Sequence, residues 1–78
     1  MFIEITIKTE AGQADIRIDS NQRINEGLHI LNQRGILKSK VTPDYFRSAM
    51  NQNLVSAYKT FEEENIFDGD ILTAIELV

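Results

Sequence analysis

The sequence predicts an α+β domain in which one face of a sheet is covered by a single helix. Three observations predict it. Apolar residues alternate in two early runs, Ile3-Ile5-Ile7 and Ala14-Ile16-Ile18, joined by a turn through Ala11-Gly12-Gln13. From Ile24 the spacing changes to that of a helix, with Ile24, Leu28 and Leu31 at i, i+4 and i+7. The chain then returns to short apolar runs divided by turn residues. Period-two alternation places the first two runs on one side of a hairpin, and a sheet with one oily face must be covered.

After the hairpin, Asp19-Ser20-Asn21-Gln22 is a polar break whose side chains bond nearby backbone amides. The helix is expected to begin near Ile24, with Ile30 beside the apolar stripe that faces the open side of the hairpin. Glu26 falls in its first turn and Arg34 in its last, as the helix dipole prefers, and Gly35 suits the left-handed position that ends helices. Gly27 costs about 1 kcal/mol relative to alanine inside a helix, so its presence predicts a close approach of backbone to sheet.

Residues 36–44 read as a connector, because Thr42-Pro43-Asp44 ends any helix and disfavours helical geometry at Thr42. Tyr45-Phe46-Arg47-Ser48-Ala49 is the next strand, Asn51-Gln52-Asn53 a turn resting on asparagine's tolerance of positive φ, and Leu54-Val55 a short returning strand. Residues 60–66 are expected to form a brief helical turn that drops Phe61 and Ile66 into the core. Asp68-Gly69-Asp70 is a tight turn, and Ile71 to Leu77 a closing strand apolar enough for the middle of a sheet.

With 78 residues the chain reads as a single domain over 1–78, burying only about 60–65% of the surface its unfolded form exposes, so stability is marginal. A composition 42% hydrophobic and 26% charged is that of a globular protein and not of a disordered one. Cysteine is absent, which favours a reducing compartment, and the expected location is the cytoplasm. Apolar stretches are as short as Ile36-Leu37, and Met1-Phe2-Ile3-Glu4 is no signal peptide, so neither membrane insertion nor export is expected. Twelve acids against eight bases give a net charge of −4, which opposes binding to nucleic acid or anionic lipid.

The order and spacing of these elements resemble the ubiquitin-like family. Phe2 to Leu37, with Gly12 in the first turn and Ile24, Leu31 and Gly35 in the helix, looks like ubiquitin's amino-terminal half. Leu54-Val55, Phe61, Asn65-Ile66 and Asp68-Gly69-Asp70-Ile71-Leu72 resemble the second half, in which a buried residue, a polar loop and a Gly-Asp-x-Leu strand entry recur. The resemblance covers nearly the whole chain. It implies a β-grasp: a mixed five-stranded sheet in the order 2-1-5-3-4, packed on one helix, with the first and last strands parallel at its centre. Within the family the chain is most similar to the small YukD/EsaB type that accompanies type VII secretion in Gram-positive bacteria. Its size, Asp68-Gly69-Asp70-Ile71-Leu72 near the end and the early stop after the last strand carry that resemblance. The function implied is a non-enzymatic accessory or regulatory component of such a system, working by contact with other proteins.

Two further readings belong to the same fold: a truncated modifier or sulfur carrier, and a ubiquitin-like domain excised from a larger scaffold. A conjugated modifier needs a flexible tail ending in Gly-Gly, to thread a narrow adenylation site. This sequence ends Ile75-Glu76-Leu77-Val78, so conjugation is not expected. Ubiquitin's receptor surface is an apolar patch on the outer sheet face. The resemblance sets its third-strand isoleucine at Arg47, its last-strand contributor near Ile75 and its first-turn contributor near Glu10. A guanidinium in a site that is desolvated on binding costs several kcal/mol when unpaired, at about that order, so ordinary ubiquitin receptors are not expected to bind.

Alternation assigns the two faces. If Ile3, Ile5, Ile7, Ile16, Ile18, Phe46, Leu72 and Ala74 point to the helix, then Glu4, Thr6, Arg17, Arg47, Ile71, Thr73 and Ile75 point outward. Ile71 and Ile75, exposed beside Arg17 and Arg47 with Thr73 between them, make the candidate protein-interaction face: an apolar centre rimmed by charge. The competing reading is that a bulge shifts the register and buries these isoleucines. No catalytic, cofactor or metal site is expected. His29 has no partner for metal or nucleophile chemistry, Glu62-Glu63-Glu64 reads as a solvated run, and Asp68, Asp70 and Glu64 lack calcium-loop spacing. Arg34, Lys38 and Lys40 lack the interleaved aromatics of a nucleic-acid surface.

Overall fold

The protein's structure, a computed structural model, describes residues 1–75. The opening alternation becomes a hairpin of β1 (Phe2–Thr9) and β2 (Gly12–Asp19), with Ile3 opposite Ile18, Ile5 opposite Ile16 and Ile7 opposite Ala14. The turn lies one residue earlier than expected, at Glu10-Ala11, and Gly12 is already the first residue of β2. A mirror-image hairpin turn would demand positive φ at both loop residues, which glutamate and alanine resist. Neither adopts it, and Gly12 takes the positive φ instead, at +125°.

The helix α1 (Ile24–Gln33) begins where the stripe does and buries Ile24, Leu28 and Leu31, with Ile30 half-buried. Its end is fixed by backbone bonds. Gly35 N–H donates to Asn32 O at 3.1 Å and Ile36 N–H to Leu31 O at 3.0 Å, the paired closure that a left-handed residue allows. Arg34 caps the helix rather than lying in its last turn. At Gly27 the helix closely approaches the sheet and the 60–66 turn: an added Cβ would stand 3.2 Å from Ile7 Cδ1 and 3.4 Å from Phe61 Cζ.

Residues 36–44 have no regular structure, yet Leu37 is buried and Ser39 is held between Asn32 and Glu10. β3 (Tyr45–Ser48) and β4 (Asn53–Ser56) form the second hairpin. Its turn differs from expectation, because Asn53 already belongs to β4 and Gln52, at φ 55°, takes the left-handed position. The loop winds as one helical turn, with Gln52 N–H donating to Ser48 O at 2.9 Å, so the residue closing that turn must reverse the chain whatever its type.

Residues 60–66 do form the expected helical turn. Thr60 and Glu63 exchange reciprocal bonds of 3.0 Å from each backbone N–H to the other's side chain, a capping box, and Asn65 ends the turn at φ 57°. Phe61 and Ile66 are buried by it. β5 (Ile71–Ile75) follows; its expected continuation through Glu76 and Leu77 lies outside the described residues.

The sheet order is β2-β1-β5-β3-β4, with β1 and β5 parallel and the other pairings antiparallel, as the resemblance implied. Asp70 organises its centre. Buried to 1% exposure, its carboxylate accepts from Ser48 Oγ at 2.5 Å, Met50 N–H at 3.0 Å and Ile71 N–H at 2.8 Å. Among the described residues no buried side-chain polar atom lacks a partner.

Two stability outcomes follow from these contacts. Asp70→Ala strands three donors beside a buried strand end and is expected to lower the urea-unfolding free energy by about 2–4 kcal/mol. Gly27→Ala gains about 1 kcal/mol of helix propensity but crowds two fully buried side chains, which costs about 1–3 kcal/mol. A net loss of roughly 1 kcal/mol is expected in the same measurement; a gain would show that the packing there is slack.

Candidate protein-interaction face

The alternation read from the sequence sorts the sheet as expected on its inner side. Ile3, Ile5, Ile7, Ile16, Ile18, Phe46 and Leu72 are buried under the helix and the 60–66 turn, and Ala74 packs against them. No bulge shifts the register of β5: Ile71 stands opposite Thr6, and Thr73 lies between Lys8 on β1 and Arg47 on β3. Arg47 and Thr73 are exposed on the outer face.

Ile71 and Ile75, however, are half-buried rather than freely exposed. Central strands have neighbours on both sides, and long cross-strand side chains shield them. Ile75 lies opposite Tyr45 on β3. Arg17 is also displaced from the group. It sits on β2 opposite Glu4, whereas the row through Arg47 and Thr73 continues to Lys8 and Gln13. With three strand spacings across and four residues along, Arg17 and Arg47 are about 20 Å apart. The Arg17 guanidinium lies 5.5 Å from the centroid of the Phe2 ring, a cation–π contact at the far corner of the sheet.

Two residues missing from the sequence-derived set join the face in their place. Tyr45 and Leu54, 44% and 51% exposed, flank Arg47: Leu54 is directly opposite it on β4, and Tyr45 lies two residues earlier on β3. Their signal was present in the alternation, since burial of Phe46 and Val55 obliges their neighbours to point outward. The face that results is Tyr45, Arg47, Leu54, Thr73 and Ile75, with Lys8 at its margin. At its rim the Tyr58 hydroxyl donates to the Asp44 carboxylate, and this bond raises the Tyr58 pKa above the ordinary 10.0.

Glu10 turns away from this face. It accepts from Ser39 Oγ at 2.6 Å and Lys40 N–H at 3.3 Å, and the serine bond foremost lowers its pKa. Two of the three glutamates in the run are engaged as well: Glu63 closes the capping box, with its pKa lowered by the Thr60 backbone N–H, and Glu64 Oε2 accepts from Ser56 N–H at 2.6 Å. Asp68 Oδ1 accepts from Glu4 N–H at 2.7 Å, so the Asp68–Asp70 turn serves the backbone. His29 is exposed on α1 and lines an open groove with Arg23, Asn25, Glu26 and Thr42. Among the described residues no three His, Cys, Asp or Glu side chains gather closely enough to hold a metal ion, and no helix is long and apolar enough to cross a membrane.

No family model and no curated protein matches the chain. Solved structures do match it. A de novo designed protein based on ubiquitin is 25% identical, with a TM-score of 0.66 over 95% of this chain and 87% of the design. The EccD5 ubiquitin-like domain from Mycobacterium xenopi is 12% identical, with a TM-score of 0.52 over 100% of this chain and 99% of that domain. The fold is the ubiquitin-like β-grasp.

The resemblance to ubiquitin sets Arg47 at the position of its central receptor-binding isoleucine, and a charge there has a direct consequence. Titration with a generic ubiquitin-binding domain is expected to give millimolar or weaker affinity, because Arg47 would lose its water without gaining a partner on an apolar receptor. Micromolar binding would contradict that assignment of the face.

Proposed function

We propose that the chain is a non-catalytic interaction module that engages a protein partner through the outer face of β3, β4 and β5 around Arg47. The observation that carries this reading is the cluster of Tyr45, Leu54 and the half-buried Ile75 about one guanidinium, on the side of the sheet opposite the helix. Apolar and aromatic side chains around an arginine are the composition of an interface centre. The partner complementary to it carries a carboxylate for Arg47 within an apolar rim.

The cellular setting we infer is the cytoplasmic side of a bacterial type VII secretion system, with the chain as an accessory or regulatory component. The resemblance of Asp68-Gly69-Asp70-Ile71-Leu72 to the YukD/EsaB type supports it. The gene's surroundings test the setting: genes for small WXG-type helical hairpin proteins and a membrane ATPase are expected nearby, and their absence would count against it. The face is tested separately. Arg47→Ala and Ile75→Asp are each expected to weaken capture of secretion components in a pull-down by more than roughly tenfold, with the circular dichroism spectrum unchanged. Capture unaffected by both substitutions would remove the face from the account.

A further inference from the structure

The sheet has two edges, and the chain treats them differently. β4 is four residues long, and its outward Ser56 N–H is taken by Glu64. β2 is eight residues long, pairs with β1 without a bulge and contains no proline; its charged residues, Asp15, Arg17 and Asp19, are of both signs. The groups that β2 leaves outward follow from two bonds. Thr6 N–H donates to Asp70 O, and Ser20 N–H donates to Met1 O. Even-numbered residues of β1 therefore direct their backbone groups to β5 and odd-numbered ones to β2. Their antiparallel partners Gly12, Ala14, Ile16 and Ile18 bond to β1, and Gln13, Asp15, Arg17 and Asp19 face the open edge. The Asp19 carbonyl is occupied by Gln22 N–H, while the backbone groups of Gln13, Asp15 and Arg17 have no partner among the described residues.

We propose that β2 pairs antiparallel with β2 of a second copy of this chain, about a two-fold axis at Ile16. Charge selects that register. Ladder bonds require odd residues opposite odd ones, so the available registers step by two. With Ile16 on the axis, Asp15 stands opposite Arg17 of the second copy, and Arg17 opposite its Asp15, so each cross-strand charge pair is attractive and occurs twice. One register to one side opposes Asp15 to Asp15. One to the other side opposes Arg17 to Arg17 and Asp15 to Asp19. The next beyond that opposes Arg17 to Asp19, but the Asp19 carboxylate already holds the Met1 ammonium at 3.1 Å and Asn21 N–H at 3.2 Å, and β2 ends there.

Both side chains are exposed but lean toward β1: Asp15 Oδ1 accepts from Thr6 Oγ1 at 2.6 Å, which leaves Oδ2, and the Arg17 guanidinium, 5.5 Å from the Phe2 centroid, turns from that ring to reach a second copy. On the inner side the half-buried Ala14 stands opposite Ile18 of the second copy and Ile16 opposite its own counterpart, so no charge is brought against the core there. The contact is one strand wide and each chain carries a net charge of −4, so the dimer is a transient one. This edge is on the opposite side of the sheet from β4, so self-pairing and the face around Arg47 stand or fall separately.

Sedimentation velocity of the full chain between about 0.02 and 1 mM is expected to show a monomer–dimer equilibrium. Asp15→Arg and Arg17→Asp, taken singly, oppose like charges at both positions and are each expected to weaken association by roughly tenfold or more. An equimolar mixture of the two variants restores both attractive pairs and is expected to form a heterodimer. The double variant Asp15→Arg/Arg17→Asp restores them within one chain and is expected to dimerise like the parent, which separates lost pairing from lost folding. A parent that stays monomeric at 1 mM would overturn the proposal. So would single variants that dimerise like the parent, a mixture that fails to associate, or association lost in Ile75→Asp but kept in the charge reversals.

Discussion

The parallel pairing of β1 with β5 is the constraint on which the rest of the structure depends. Parallel neighbours cannot be joined by a tight turn, so everything between them is one long crossover. The Asp68-Gly69-Asp70 turn makes that closure definite. Glu4 N–H donates to Asp68 Oδ1, Gly69 N–H donates to Glu4 O at 2.7 Å, and Thr6 N–H donates to Asp70 O at 3.0 Å. These bonds join residues some 64 positions apart, and they set β5 into the only gap in the sheet with a strand on either side. The same Asp70 carboxylate then holds Ser48 and Met50, so the end of the second hairpin is tied to the turn that seats the last strand.

The core is arranged around that junction. Gly27 lets the helix approach Ile7 and Phe61, and Phe61 arrives there because a capping box winds residues 60–66 into a turn. A side chain at 27 would push the helix off the sheet, while a loose 60–66 segment would leave the space under the helix unfilled. Several of the surface carboxylates are occupied with backbone N–H groups rather than with cations. Glu10, Glu63, Glu64 and Asp68 all stitch loops to the framework, and among the described residues the only ion pair joins the Met1 ammonium to Asp19.

Much of this was legible in the order of residues, because period-two and period-3.6 patterns are direct images of burial. Ile3 to Ile18 read correctly as one buried face, Ile24-Leu28-Leu31 as the helix stripe and Gly27 as a close contact. Turn details were not, since a loop's conformation is set by the register of the strands it joins. Gly12 served as the first strand residue rather than the turn, and Gln52 took a left-handed conformation beside two asparagines better suited to it. The outer face was legible only in part, since alternation places Arg47 and Thr73 outward while Tyr45 and Leu54 join them only with the second hairpin's pairing. Alternation says which side a residue faces and nothing of which strands adjoin, so Arg17 was grouped with Arg47 across strands that hold them about 20 Å apart. Exposure of Ile71 and Ile75 was overstated for the same reason, since a central strand is shaded from both flanks.

This architecture separates stability from recognition. The helix side carries the core, whereas the outer face and the β2 edge carry groups that the fold itself leaves without full use, at opposite ends of the strand order. Both surfaces have fixed geometry only while β5 is seated between β1 and β3, so both depend on the clamp at Asp68–Asp70. Native-state amide hydrogen exchange reads it most directly, at Thr6, Met50 and Ile71, whose N–H groups bond to Asp70. These amides are expected to open only with global unfolding, at the same free energy as the β1–β2 core amides. Exchange at the three sites through a lower-energy opening, with the β1–β2 hairpin still protected, would contradict that dependence.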